Sequence, residues 1–83
     1  MQMLVVFYTT HHTLFAEKIL KKLKIKNKVV MKPRKITTDC GLAIEFDGDF
    51  LKEAYEEINK KKLKIEGFYN KNNNEWIKID TKL

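Results

Sequence analysis

Two helix-period stretches alternate with short apolar runs along this chain, and that order leaves few ways to fold. Met3-Leu4-Val5-Val6-Phe7-Tyr8 is a continuous apolar run closed by Thr9-Thr10, the pattern of a strand buried on both faces or nearly so. Thr10 is placed to cap a helix beginning at His11. In that helix Ala16, Ile19, Leu20 and Leu23 form one apolar face, and Glu17, Lys18, Lys21 and Lys22 take the other. It should end near Lys24, with Asn27 as a turn residue. Val29-Val30-Met31 reads as a short strand stopped by Pro33, which has no N–H for a ladder. Pro33 to Asp39 is polar and irregular. Leu42 to Phe46 is a third strand, and Asp47-Gly48-Asp49 a turn that caps a second helix. That helix carries Leu51, Ala54, Tyr55 and Ile58 on one face and ends in Lys60-Lys61-Lys62, suited to the negative end of a helix dipole. Leu63 to Tyr69 supplies a fourth strand, Asn70 to Asn74 a turn, and Trp76 to Asp80 a fifth strand hairpinned onto it.

The order β-α-β-β-α-β with an added β predicts an α+β protein of the ferredoxin-like, split β-α-β kind. Its sheet should be antiparallel, with the second, third and first strands as neighbours and both helices on one face. Eighty-three residues make one domain spanning 1–83. A chain this short buries only ~60–65% of the surface its unfolded form exposes, so the core is thin. The apolar fraction of 43% is enough for one sheet-plus-helix core. No apolar run approaches the ~20 residues of a membrane span. Met1 to Tyr8 lacks a basic leader and a small-residue cleavage site, so it reads as a strand and not as a signal peptide.

The one cysteine, Cys40, cannot form an internal disulfide, which places the chain in a reducing, cytoplasmic setting. The net charge of +6 is nearly all lysine. Nucleic-acid readers usually add arginines and exposed aromatics, and Arg34 is the only arginine here. A solvated lysine surface is the better reading, and nucleic acid is not the expected partner. An edge strand, the second or the fifth, is a candidate for pairing two chains as a homodimer.

The expected topology gives Cys40 its interest. The connection from second to third strand lies at the same end of the sheet as the exit of the first strand and the start of the first helix. Cys40 should therefore sit near Thr9, Thr10, His11 and His12, with Gly41 allowing close approach of backbone to ligand. A helix N-terminus offers free N–H donors and partial positive charge, which favour a thiolate, the reactive form of the group. Arg34 and the Lys60–Lys62 end add charge there. Each residue also has a plainer reading. A lone cysteine is often a small buried apolar side chain, Gly41 a bulge, and Arg34 a solvated loop residue as readily as an anion clamp. His11 and His12, adjacent on a helix, point in different directions, and one histidine beside one cysteine is a poor zinc site, so no metal is expected.

The stretch Pro33-Arg34-Lys35-Ile36-Thr37-Thr38-Asp39-Cys40-Gly41-Leu42-Ala43 resembles a small family of selenium/sulfur carrier-like proteins. Thr9-Thr10-His11, Ala16-Glu17-Lys18 and Glu66-Gly67-Phe68-Tyr69 are further points of similarity. The resemblance covers roughly residues 3–70, and 71–83 read as a C-terminal hairpin extension. It implies that Cys40 carries sulfur or selenium as a persulfide or selenopersulfide, received from a cysteine desulfurase-type donor and passed to an acceptor protein. Arg34 and Cys40 are the matching motif residues. No cofactor is expected apart from the covalently carried chalcogen. One thiol suffices for carrying a group, whereas a dithiol oxidoreductase needs a resolving cysteine and a hydrolase a base with an orienting acid. A carrier or accessory protein is thus expected ahead of a turnover enzyme with Cys40 as nucleophile. The alternative from another class is a ferredoxin-like module binding RNA or an anionic small molecule.

Overall fold

The computed structural model describes residues 2–37 and 41–79. Every residue of the first strand, β1 (Gln2–Phe7), is buried from Met3 onward, so this strand lies in the middle of the sheet with both faces covered. It is followed by α1 (Thr10–Lys22), β2 (Asn27–Met31), β3 (Leu42–Asp47), a 3-10 turn at Gly48–Phe50, α2 (Leu51–Lys60), β4 (Ile65–Asn72) and β5 (Glu75–Ile79). The sheet order is β2-β3-β1-β4-β5, and each neighbouring pair is antiparallel. This is the expected ferredoxin-like split β-α-β arrangement with a strand added beyond β4. β2 and β5 form the two edges.

Alternation along β1 sends Met3, Val5 and Phe7 to one face and Leu4 and Val6 to the other. The first set joins Ala16 and Leu20 of α1, Ala54 and Ile58 of α2, Ile44, Phe46 and Phe68 in the main core. Both helices therefore cover one face. The opposite face has its own small core of Leu4, Val6 and Ala43, against which Val30, Ile36, Tyr69 and Trp76 pack. Ile36 belongs to the β2–β3 connection, so that connection folds back over the helix-free face.

Local chemistry sets the boundaries, and several differ from expectation. The cap of α1 is Thr9, not Thr10. Thr9 is extended (φ −130°, ψ 150°) and its Oγ1 accepts the His12 N–H at 3.1 Å, while its carbonyl accepts the Thr13 N–H and takes Thr10 into the helix. Asn27 begins β2 instead of forming a turn, its side-chain amide donating to the Ile25 carbonyl at 2.9 Å. The tail of α1 closes as a Schellman motif: Ile25 N–H donates to Leu20 O at 2.9 Å and Lys24 N–H to Lys21 O at 3.0 Å. The tail of α2 repeats it, with Leu63 N–H to Ile58 O and Lys62 N–H to Asn59 O. Both motifs need a left-handed residue, and lysines fill the position: Lys24 at φ 61° and Lys62 at φ 57°. The asparagine-rich stretch is shorter as a turn than expected. β4 continues to Asn72, paired with Glu75, and Asn73 and Asn74 alone turn the chain, both at positive φ as a two-residue type I′ hairpin requires. Asp80, expected at the end of the fifth strand, lies outside the described residues. Among the described residues no helix is long and apolar enough to cross a membrane.

Candidate functional site

The end of the sheet where β1 leaves and α1 begins gathers more of the chain than any expectation required. Thr13, fully buried in the first turns of α1, donates its hydroxyl to the Leu42 carbonyl at the start of β3, 3.2 Å away. Tyr8 N–H donates to Lys64 O at 3.4 Å, and Lys64 N–H donates to His12 Nδ1 at 3.2 Å. The entry of β4 and the end of α2 are thereby tied to the start of α1. Lys32, just past β2, donates its N–H to Gly41 O at 2.9 Å. The start of α1, the start of β3, the entry of β4 and the lysine end of α2 share one end of the molecule, as the topology predicted.

The expected exposure of Cys40 and its closeness to α1 fall on residues 38–40, which lie outside the described residues. Gly41 and Leu42, which follow Cys40, are at the junction just described. Thr9 is spent as the cap, and Thr10 and His11 occupy the exposed first turn of α1. Among the described residues no acceptor meets the N–H groups of Thr10 and His11, which remain the free donors of that helix end. His12 has its Nδ1 occupied by the Lys64 N–H, and its ring stands 6.3 Å from that of His11 at 47°, so the two imidazoles diverge. Arg34 is exposed in a tight turn in which Pro33 O accepts from both Ile36 N–H (3.0 Å) and Thr37 N–H (3.2 Å). That turn presents Arg34 outward while pressing Ile36 onto the sheet. The described part of the segment read as irregular, Pro33 to Thr37, is thus a compact turn.

One charged residue at this end escaped the sequence reading. The Lys32 side chain is only 7% exposed, and its Nζ lies 3.5 Å from Glu66 Oε2 of β4. The contact is an ion pair without hydrogen-bond alignment: Glu66 Oε2 is buried and accepts no hydrogen bond among the described residues. The stem of Lys32 crosses Gly41, so a Cβ built there would stand 3.2 Å from Lys32 Cε and 3.5 Å from Nζ. Gly41 has φ +157°, a backbone that side-chain-bearing residues rarely adopt. The glycine is therefore favoured by its backbone, and a Cβ there would press on the lysine stem lying over it. The signal was present in the alternation Lys28, Val30, Lys32, which places Lys32 on the face of Val30. It was lost because Lys32 is one of sixteen lysines and lies beyond the last strand residue. Glu66 borders a groove of about 580 Å³ that is also lined by Tyr55, Gly67 and Lys78.

The helix-free face is not an open platform for stacking bases. Leu4 and Val6 at its centre are fully buried, and Tyr69 and Trp76 pack down onto them. Lys71 Nζ sits 5.5 Å over the Trp76 ring.

A family model described as "Putative Se/S carrier protein-like" matches residues 2–70. No curated protein and no solved structure matches the chain. The matched span ends inside β4, so β5 lies beyond it.

Proposed function

The chain belongs to this Se/S carrier-like family, and from that premise we propose that it holds a sulfur or selenium atom on Cys40 and delivers it to an acceptor protein. The observation that carries the reading is the 3.2 Å bond from Thr13 to the Leu42 carbonyl. It pins Leu42, two residues after Cys40, to the helix end whose Thr10 and His11 N–H groups meet no acceptor among the described residues. Loading is a transfer between thiols. The Cys40 thiolate attacks the terminal sulfur of a donor's persulfide, the donor's S–S bond breaks, and the donor leaves as a thiolate. No electrons are gained or lost overall, and no second cysteine is needed. The carried chalcogen is anionic near neutral pH, and helix-end N–H donors are suited to hold such a group. Arg34, exposed on its turn, supplies charge from the solvent side. A reducing cytoplasmic setting would keep the thiol free for loading.

Intact-protein mass spectrometry after incubation with a cysteine desulfurase-type donor and cysteine, or selenocysteine, tests the reading. The expected result is a mass increase of one sulfur or one selenium that a reductant removes and Cys40→Ser abolishes. A wild-type protein that gains no chalcogen from either donor mixture would end it.

A further inference from the structure

β2 is an edge strand whose outer side has no partner among the described residues. One contact fixes the phase of its hydrogen bonds. Lys32 N–H donates to Gly41 O at 2.9 Å, one step beyond the printed end of the β2–β3 register, so Val30 and Lys28 bond inward to Ala43 and Glu45. The N–H and C=O groups of Asn27, Val29 and Met31 therefore point outward from the sheet. The two faces of this edge differ in chemistry. Val29 and Met31 lie on the helix side, where Val29 packs against the main core and Met31 is 77% exposed. Lys28, and Lys26 just before the strand, have the opposite parity, are exposed, and form no ion pair among the described residues. Glu45, opposite Lys28 in the ladder, accepts from Gln2 Nε2 instead. A groove of about 410 Å³ at the start of the strand is lined by Asn27, Phe46 and Phe50 and, from the other face, by Lys26 and Lys28. Asn27 Oδ1 is buried there and meets no donor. From Lys18 to Thr37 the chain carries eight lysines and Arg34 and no carboxylate side chain, so the segments leading into and out of β2 add cations and no acids.

We propose that the free edge of β2 is a docking strand for an extended acidic segment of a partner protein, one that alternates carboxylate and apolar side chains. The backbone of that segment pairs with Asn27, Val29 and Met31. Its carboxylates face Lys26 and Lys28, and its apolar side chains cover Met31 and enter the groove beside Phe46 and Phe50. The same lysines disfavour a second copy of this chain. Two-fold pairing about Val29 sets the Lys28 side chains of the two copies diagonally across from each other, like charge beside like. The proposal stands on the edge alone and does not depend on what Cys40 carries.

The probe is a capped peptide of alternating Glu and Val, about nine residues long so that it spans β2. Binding is read by anisotropy of a labelled copy and by amide hydrogen exchange of the protein. Saturating peptide should slow exchange at Asn27, Val29 and Met31 about tenfold, and leave Lys28 and Val30, already bonded to β3, unchanged. A peptide of the same composition with Glu and Val in separate blocks, and one with Lys in place of Glu, should each bind about tenfold more weakly. Met31→Pro removes one outward N–H, a change an edge strand tolerates. It should weaken binding about fivefold more than Met31→Ala, which keeps that N–H. Absence of binding, or binding without slowing at the outward amides, would overturn the proposal. Equal binding by the block peptide would overturn it too, since charge alone would then suffice. An oligouridylate of equal charge that binds as tightly would assign the basic surface to nucleic acid instead. Slowing of the same amides with rising protein concentration and no peptide would assign the edge to a second copy. If Met31→Pro does not fold, the exchange pattern of the wild-type protein decides.

Discussion

The Thr13 hydroxyl and the Leu42 carbonyl meet at 3.2 Å across 29 positions of sequence, joining the first turns of α1 to the first residue of β3. The same hydroxyl lies 3.2 Å from the Thr9 carbonyl one turn back, so a single proton serves two acceptors. Thr9 O also receives the Thr13 N–H. The Leu42 contact is therefore the one that a change at Thr13 would leave unmet. Thr13→Val keeps the volume and removes the donor in a fully buried setting. The expected cost is about 1–2 kcal/mol of unfolding free energy, read as a lower urea midpoint with unchanged slope. An unaltered midpoint would mean that the bond does not secure this junction.

Two left-handed lysines close the helices, and each carries a Cβ that the position does not favour. Lys24→Gly and Lys62→Gly should each stabilise the protein by about 0.5–1 kcal/mol, the relief of the left-handed conformation less the extra freedom of glycine in the unfolded chain. Lys24→Ala removes the same charge but keeps the Cβ, so it should show no gain. If Lys24→Ala stabilises as much as Lys24→Gly, lysine repulsion and not backbone strain was relieved.

Gly41 makes the opposite prediction. Gly41→Ala places a Cβ 3.2 Å from Lys32 Cε on a backbone with φ +157°, and about 1–2 kcal/mol should be lost. Part of that loss belongs to the lysine stem. In a Lys32→Ala background the crowding is gone and only the backbone term remains, so a double-mutant cycle should return a coupling of about 0.5–1 kcal/mol. Additive losses would show that Lys32 yields freely and does not dictate glycine at this position.

The fold was legible because its signals are periodic. The Ala16-Ile19-Leu20 and Leu51-Ala54-Ile58 faces and the apolar run of β1 recur at spacings that only one element type satisfies. Boundaries were less legible where two adjacent residues share one chemistry. Thr9 and Thr10 are equally good caps in isolation, and the choice falls to Thr9 because its backbone is the extended one and its Oγ1 meets the His12 N–H. Asn70 to Asn74 is uniformly turn-prone, and strand pairing of Asn70 with Met3 and Ile77 decides how far β4 runs. At the candidate site, the convergence of α1, β3 and the α2 lysines followed from topology alone. The Lys32–Glu66 pair did not, since an ion pair between residues 34 positions apart has no local signature. Its two members lie on β4 and just past β2, strands separated in the sheet by β3 and β1.

The carrier reading and the nucleic-acid reading assign the function to different residues, and two substitutions separate them. As a carrier, the protein depends on Cys40 and tolerates change at the lysine end of α2. Cys40→Ser then abolishes the mass gain while leaving the fold intact, because serine is close in size to cysteine. As a nucleic-acid binder, it depends on charge. Lys60, Lys61 and Lys62 are exposed beside the start of α1, and changing all three to Ala should then weaken RNA binding and lower the log–log salt slope by about 2. Cys40→Ser would change little. Charge without base readout binds weakly and without sequence preference, and the helix-free face is filled by its own Tyr69 and Trp76. The expected outcome is weak RNA affinity that disappears by physiological salt, together with chalcogen uptake insensitive to the triple substitution. Tight RNA binding at physiological salt in a protein that gains no sulfur or selenium would reverse the assignment.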